Sequence, residues 1–212
     1  MVHPKWDGCI FDLDGTLWDS VPQITKIWNE TIRSEKIDHI LEEKDVIAIM
    51  GLNTAEIGDR LFPFLPPAKR QRLMLRCTEA ESRELPKIGG TLYPELKRTL
   101  EELRKELPLF IVSNCDRGYI EAFLGFHRLG EFFRDHLSYG DSGADKPENI
   151  RAVARKYGLK APVYIGDTVK DSVSAKKAGV DFIFAAYGFG SVPDARYRID
   201  HLTELPALIF SS

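Results

Sequence analysis

The chain has 212 residues, one domain or one domain carrying a large insertion at roughly 150 residues per domain, and long enough to bury a core without disulfides or a structural metal. Its 29 Lys+Arg against 32 Asp+Glu give a net charge of −3, with 43% hydrophobic and 29% charged residues, which leaves neither a basic excess for nucleic acid nor an acidic disordered tail. Three widely spaced cysteines (Cys9, Cys77, Cys115), no apolar signal core after Met1 and no apolar run near the ~20 residues that span a bilayer argue against secreted, membrane and fibrous classes and lead us to expect a cytoplasmic protein.

In chain order, the first element is a short apolar strand, Gly8-Cys9-Ile10-Phe11, closed by Asp12-Leu13-Asp14-Gly15. The stretch from 20 to 90 then contains no convincing strand. Ile24, Ile27, Trp28 and Ile32 make one helical stripe, and 42–49, 54–62 and 67–84 read as three more helices. Turn-rich segments flank them, Asp19-Ser20-Val21-Pro22 on one side and Pro86-Lys87-Ile88-Gly89-Gly90 on the other. Strand and helix then alternate. Leu109–Ser113, His136–Gly140, Val163–Gly166 and Asp181–Ala186 read as strands. Helices are expected over Leu96–Leu107, from Pro147 to Gly158, and over 169–178. This order predicts an α/β protein: a doubly wound, mostly parallel, Rossmann-like sheet with an all-helical cap inserted after the first strand. The expected boundaries are 1–19 and 88–212 for the core and 20–87 for the cap. Two flexible connections on one side suit a hinged lid; helices packed rigidly on the sheet are the alternative.

In an open parallel sheet, ligands bind beyond the carboxyl ends of the strands. Those ends carry Asp12 and Asp14, Ser113-Asn114, Lys146-Pro147, and Asp167-Thr168 followed by Asp171. Three carboxylates at one edge repel one another, and a lysine and a divalent cation relieve that repulsion. Hard carboxylate oxygens suit Mg²⁺. A cation, a lysine, a hydroxyl and turn amides together make a site for a phosphoryl group.

Phe11-Asp12-Leu13-Asp14-Gly15-Thr16-Leu17, Ser113-Asn114, Lys146-Pro147 and Gly166-Asp167-Thr168-Val169-Lys170-Asp171 resemble, in order and spacing, the four motifs of the haloacid dehalogenase superfamily. The helical insertion resembles the cap of its phosphoglycolate phosphatase and β-phosphoglucomutase branch. The resemblance implies a Mg²⁺-dependent phosphatase of small phosphomonoesters. Asp12 is then the nucleophile, which carries the phosphoryl group. Asp14 is the acid toward the leaving oxygen and then the base toward water. Asp12, the Asp14 backbone carbonyl and Asp167 hold the metal, with Asp171 a ligand or a partner behind it. Ser113 and the Asn114 N–H grip phosphoryl oxygens, and Lys146 offsets charge. Gly51 and Asn53, in the loop Met50-Gly51-Leu52-Asn53-Thr54, are candidates for meeting the leaving group. The expected partner is a small phosphorylated metabolite, with no nucleic acid or membrane, and the expected state is a monomer or homodimer.

Each motif alone has a bland reading. Asp14-Gly15 and Ser113-Asn114 are then turns, Lys146 a solvated charge, and Thr168-x-x-Asp171 a capping box; four such accidents in this order are improbable. Cys115 reads as a neutral packing thiol, the five histidines as scattered non-ligands, and Lys69, Arg70, Arg72 and Arg76 as a solvated face, with contact to an anionic substrate group the weaker reading. A phosphosugar mutase, a true dehalogenase and a receiver-like phosphoacceptor domain are the competing functions.

Overall fold

The computed structural model describes residues 5–52 and 54–210; Asn53, one of the two cap-loop candidates, and His3 lie outside the described residues. The elements follow in this order: β1 (Gly8–Phe11), β2 (Trp18–Asp19), α1 (Val21–Ser34), α2 (Glu43–Ile47), α3 (Thr54–Leu61), α4 (Pro67–Ile88), β3 (Thr91–Leu92), α5 (Leu96–Leu103), β4 (Leu109–Ser113), α6 (Tyr119–His127), β5 (Asp135–Ser138), α7 (Tyr139–Ser142), α8 (Lys146–Tyr157), β6 (Pro162–Gly166), α9 (Val169–Ala178), β7 (Asp181–Ala185), β8 (Tyr197–Ile199) and α10 (Leu205–Phe210).

Six strands form one parallel sheet in the order β5-β4-β1-β6-β7-β8. The chain moves outward from β1 through β4 to β5, then returns to the other side of β1 for β6, β7 and β8. The order therefore reverses at β1, the point where a crevice opens at the carboxyl edge of a doubly wound sheet. Both faces are covered, so the strands read as apolar runs rather than alternating ones. Cys9, Phe11, Ile111 and Ile165 point into one core cluster, and Ile10, Phe110, Val112 and Tyr164 into another beneath α8 and α9.

The four cap helices arise between β2 and β3, as the apolar spacings predict. The first core cluster runs without a break from the sheet into Ile24 and Trp28 of α1 and Leu73 and Cys77 of α4. Burial, not propensity, thus holds helices as short as α2. The two connections are zipped together: β2 and β3 pair antiparallel, Trp18 opposite Leu92 and Asp19 opposite Thr91. Gly90 is required there, because a Cβ would lie 2.7 Å from the Asp19 carbonyl oxygen.

Three expectations need correction. The strand expected over His136–Gly140 ends at Ser138, because a capping box between Ser138 and Asp141 starts α7. Helix α4 continues past Pro86 to Ile88 rather than ending at 84. A proline in the last turn removes only one ladder bond, and the Gly89 N–H still donates to the Leu85 carbonyl at 2.9 Å. The edge strand β8, which is short and carries Arg198, is additional to the five expected. Among the described residues no helix is long and apolar enough to cross a membrane.

Candidate active site

Asp12 follows β1 directly, and its N–H still donates to the Ile165 carbonyl at 2.8 Å, so the sheet ladder fixes its backbone. The chain then turns tightly: the Leu13 carbonyl accepts from the N–H groups of Thr16 and Leu17 at 3.2 and 2.8 Å. Gly15 sits in this turn at φ +80, and a Cβ there would stand 2.2 Å from Asp167 Oδ2. Only glycine meets both demands. Gly188, in the loop after β7, closes on the other side, where a Cβ would be 2.4 Å from Asp167 Cβ. The Asp167 carboxylate thus lies in a slot cut by two backbones.

Lys146 opens α8 and is 2% exposed. Its Nζ donates to Asp12 Oδ1 at 2.8 Å and to Asp171 Oδ1 at 2.6 Å. Burial alone would push this ammonium down, but the carboxylates of Asp12 and Asp171 outweigh it and hold its pKa well above the ordinary value. The other oxygen of Asp171 accepts from Thr168 N and Oγ1 at 3.0 and 2.6 Å. The capping box is real, and both Asp171 oxygens are engaged. Asp171 therefore stands behind Lys146 and fixes it, although its carboxylate is also within 4.8 Å of those of Asp12 and Asp167.

Three buried carboxylates face one ammonium, and the balance is unfavourable. Burial, then the charges of Asp171 and, from the far side, Asp14, push Asp12 up to about 7, with Lys146 pulling the other way. Burial and the charges of Asp171 and Asp12 push Asp167 up to about 8. Asp167 Oδ2 accepts from the Phe189 N–H at 2.7 Å, while Oδ1 is buried without a hydrogen-bond partner. An orphaned carboxylate oxygen among acids is a place for a cation, and an all-oxygen donor set suits a hard divalent one. A second group, Glu121, His136 and Asp141, also brings three ligand atoms within 4.8 Å. There Asp141 is already tied to Ser138 and Arg117.

Asp14 faces the cap side of the site. Its Oδ1 contacts the Ser20 and Tyr119 hydroxyls at 2.6 and 2.9 Å, and those two hydroxyls lie 2.8 Å apart. Asp14 lines the cavity beneath the cap. Burial raises Asp14 to about 6, against the pull of the two hydroxyl bonds.

The structure brings the expected residues together. Asp12, Asp14, Ser113, Asn114 and Gly51 line one cavity of ≈ 70 Å³ beneath the cap. Ser113 ends β4 and is buried. The Asn114 side chain does not face the cavity's interior chemistry alone: its Nδ2 donates to the Gly51 carbonyl at 2.9 Å, tying core to cap. A second tie runs from Thr54 Oγ1 to the Asp116 carboxylate at 2.9 and 3.0 Å. None of the basic run lines this cavity: Arg72 and Arg76 pair with Glu35, and Arg70, half-buried, pairs with Asp59 and lines a second cavity that shares Thr54, Met74, Thr78 and Asp116 with the first. Burial pushes the Cys115 thiol up, which keeps it neutral.

Sequence reasoning missed five participants: Ser20, Tyr119, Asp116, the Phe189 N–H and Glu81. Glu81 alone left a signal. It falls on the stripe Met74, Cys77, Glu81, Leu85, which α4 otherwise fills with apolar residues. It is 8% exposed, its Oε2 accepts from Trp28 Nε1 at 2.9 Å, and burial pushes it up to about 8.

Residues 9–185 match the family model for haloacid dehalogenase-like hydrolases. The phosphoglycolate phosphatase of Vibrio parahaemolyticus is 28% identical over 92% of this chain and 92% of its own length. That of Synechococcus elongatus is 30% identical over 85% and 84%. A haloacid dehalogenase-like family hydrolase from Streptococcus pneumoniae superposes with a TM-score of 0.83 at 21% identity, over 95% of this chain and 97% of that one. This chain belongs to the haloacid dehalogenase-like hydrolase family and is one of its phosphatases.

Proposed function

We propose that this phosphatase hydrolyses a small phosphomonoester by way of a phosphoryl group carried on Asp12, with Mg²⁺ held by Asp12, the Asp14 backbone carbonyl and Asp167. The observation that carries the reading is the buried Asp12 carboxylate, bonded to Lys146 on one side and opening on the other to the cavity it shares with Asp14 and Ser113. When bound, the cation offsets the negative charge of the phosphoryl oxygens and of the acids around it.

The chain's own residues do the rest. Lys146 holds Asp12 Oδ1, so the other carboxylate oxygen is the one aimed at phosphorus. Its attack forms the new P–O bond as the ester P–O bond breaks. Asp14 gives its proton to the departing alcohol oxygen. A pKa near 6 suits a group that donates a proton, then takes one back from the water that attacks the phosphoryl group and frees Asp12. Ser113 Oγ and the Asn114 N–H hold phosphoryl oxygens in line. Asp171 is a positioning residue in this scheme, since Lys146 and the Thr168 cap occupy its oxygens. Residues 20–87 act as the lid over the core formed by 1–19 and 88–212, and the lid keeps bulk solvent out during transfer to Asp12 while leaving room for the one water that Asp14 activates. Two relatives are named for phosphoglycolate, which makes it one substrate to assay among other small esters.

Asp12→Asn tests the scheme. With Mg²⁺ and a panel of small phosphate esters, phosphate release should fall to background while the circular dichroism spectrum and melting temperature hold. A variant that keeps wild-type turnover refutes Asp12 as the nucleophile.

A further inference from the structure

The cavity has two halves. Asp12, Ser113 and Asn114 form the phosphoryl half, and the cap closes the other, where the alcohol must sit. That second half is walled by Ile24, Trp28, Ile49 and Met74, with Glu81 and Asp116 as its charged side chains. None of the described residues lining the cavity is a lysine or an arginine, and Asn53, beside the lining residues Leu52 and Thr54 in sequence, brings no charge. Lys146 is committed to Asp12 and Asp171. The arginines of α4 are paired as well: Arg70, half-buried, with Asp59, Arg72 and Arg76 with Glu35, and Arg83 with Glu84. A carboxylate on the leaving group would therefore lie against Asp14, Glu81 and Asp116, while Arg70, Arg72, Arg83 and Arg117 line a second cavity that shares Thr54, Met74, Thr78 and Asp116 with this one.

Glu81 is the charged group that α4 contributes to this wall, beside Thr78 and Met74, on a helix stripe otherwise filled by apolar residues. Trp28 Nε1 holds its Oε2 at 2.9 Å, and Oε1 has no hydrogen-bond partner among the described residues. Resting on the phosphatase reading above, we propose that Glu81, held by Trp28, selects the substrate. It accepts from a hydroxyl or ammonium donor on a small alcohol without negative charge, and the pocket rejects esters whose alcohol carries a carboxylate. The raised pKa of Glu81, pushed up by burial and then by the charges of Asp14 and Asp116, fits this role. The unliganded pocket tolerates the neutral acid, and a bound ammonium favours the ionised one. The cavity of ≈ 70 Å³ suits a small alcohol. A site whose buried polar group needs a donor discriminates sharply against a ligand that repels it. By this inference the substrate named in the relatives is not the one this chain prefers.

The test compares esters matched in size: O-phosphoethanolamine, 2-hydroxyethyl phosphate and 2-phosphoglycolate, each with Mg²⁺ at pH 7. At least one of the first two should exceed phosphoglycolate in kcat/KM by about tenfold or more, which corresponds to ~1.4 kcal/mol. Glu81→Gln should shrink that ratio about tenfold, chiefly through KM. The wild-type ranking needs no variant, so a misfolded Glu81→Gln leaves the test intact. Phosphoglycolate matching or beating both other esters overturns the role of Glu81 and leaves the phosphatase reading standing, as does a ratio unmoved in a folded Glu81→Gln protein. Failure of the wild type to hydrolyse any phosphate ester brings down the underlying reading instead, and this inference with it.

Discussion

Removing Lys146 should expose the electrostatic conflict at the centre of this protein. Its ammonium is 2% exposed and lies 2.8 and 2.6 Å from the oxygens of Asp12 and Asp171. At an effective dielectric constant of 20, each contact of that length is worth roughly 6 kcal/mol of attraction before desolvation is subtracted. Breaking a buried pair from one side costs about 3–5 kcal/mol, because the surviving charges stay buried and unpaired. Lys146→Met keeps the packing volume of the stem and deletes only the charge. In urea titrations with EDTA present, it should lose about 3–5 kcal/mol of unfolding free energy at pH 8.

The pH dependence of that loss carries a sign. Asp12 and Asp167 have folded-state pKa values raised to about 7 and about 8, so the folded protein holds protons that the unfolded chain has released. Their contribution to stability falls as pH rises from about 4 toward 8. Lys146 lowers both values, and its removal raises them further and deepens the fall. The deficit of Lys146→Met should therefore be smaller at pH 5, where the acids can protonate, and largest near pH 8. Adding Asp171→Asn should recover part of it, with a coupling energy of about 0.5–3 kcal/mol. A deficit below about 1 kcal/mol at pH 8, or one that does not change with pH, would refute the picture of acids kept apart from ruin by one lysine.

Three further outcomes follow from the same geometry. Mg²⁺ at about a hundred times its dissociation constant should stabilise the protein by ~2.7 kcal/mol; Asp167→Asn, by removing the orphaned oxygen's charge, should abolish that melting shift along with activity. The Ser20 and Tyr119 hydroxyls pull the pKa of Asp14 down; Ser20→Ala with Tyr119→Phe should therefore move the pH–rate limb near 6 upward, and a downward move or none counts against Asp14 as the acid and base. Gly15→Ala combines φ +80 with a Cβ 2.2 Å from Asp167 Oδ2; it should cost about 1–3 kcal/mol and weaken Mg²⁺ binding, measured by calorimetry, even where the protein remains folded.

The motif residues were legible because each is tied to a local event that sequence displays. Asp12 closes an apolar strand, Lys146 precedes a proline that opens a helix, and Asp171 completes a box with Thr168. The parallel sheet followed from strands alternating with helices, and the cap from an unbroken helical stretch. What escaped has no local mark. The Phe189 N–H that holds Asp167 is a backbone group, which any residue type supplies. Ser20 and Tyr119 are 99 positions apart and meet only because α1 and α6 flank the same strand end. Thr54 finds Asp116 across 62 positions, through the docking of cap on core. The end of β5 was not legible because Ser138 both ends the strand and caps α7, two roles with one residue. Glu81 was legible in principle. A carboxyl on the buried stripe of a helix is a cost that folding does not incur without a reason.

That cost points to how the work is divided between the two halves of the molecule. The core side of the cavity is made of charges held at fixed distances, three carboxylates against one ammonium, so moving any of them disturbs all the rest. The cap side is made largely of apolar side chains continuous with the core cluster, so the cap's seat on the core is favoured by burial and is largely indifferent to which residues do the burying. Polar ties at the rim, Asn114 to Gly51 and Thr54 to Asp116, then fix the cap's position on the core. Asn114 adjoins Ser113, so the tie that seats the cap also immobilises the turn that would hold the phosphoryl group. Substitutions on the inner face of α1 and α4 can thus change which alcohol fits without touching the acids that cleave it. The reaction proposed for the core and the selectivity proposed for Glu81 on α4 can therefore be varied independently.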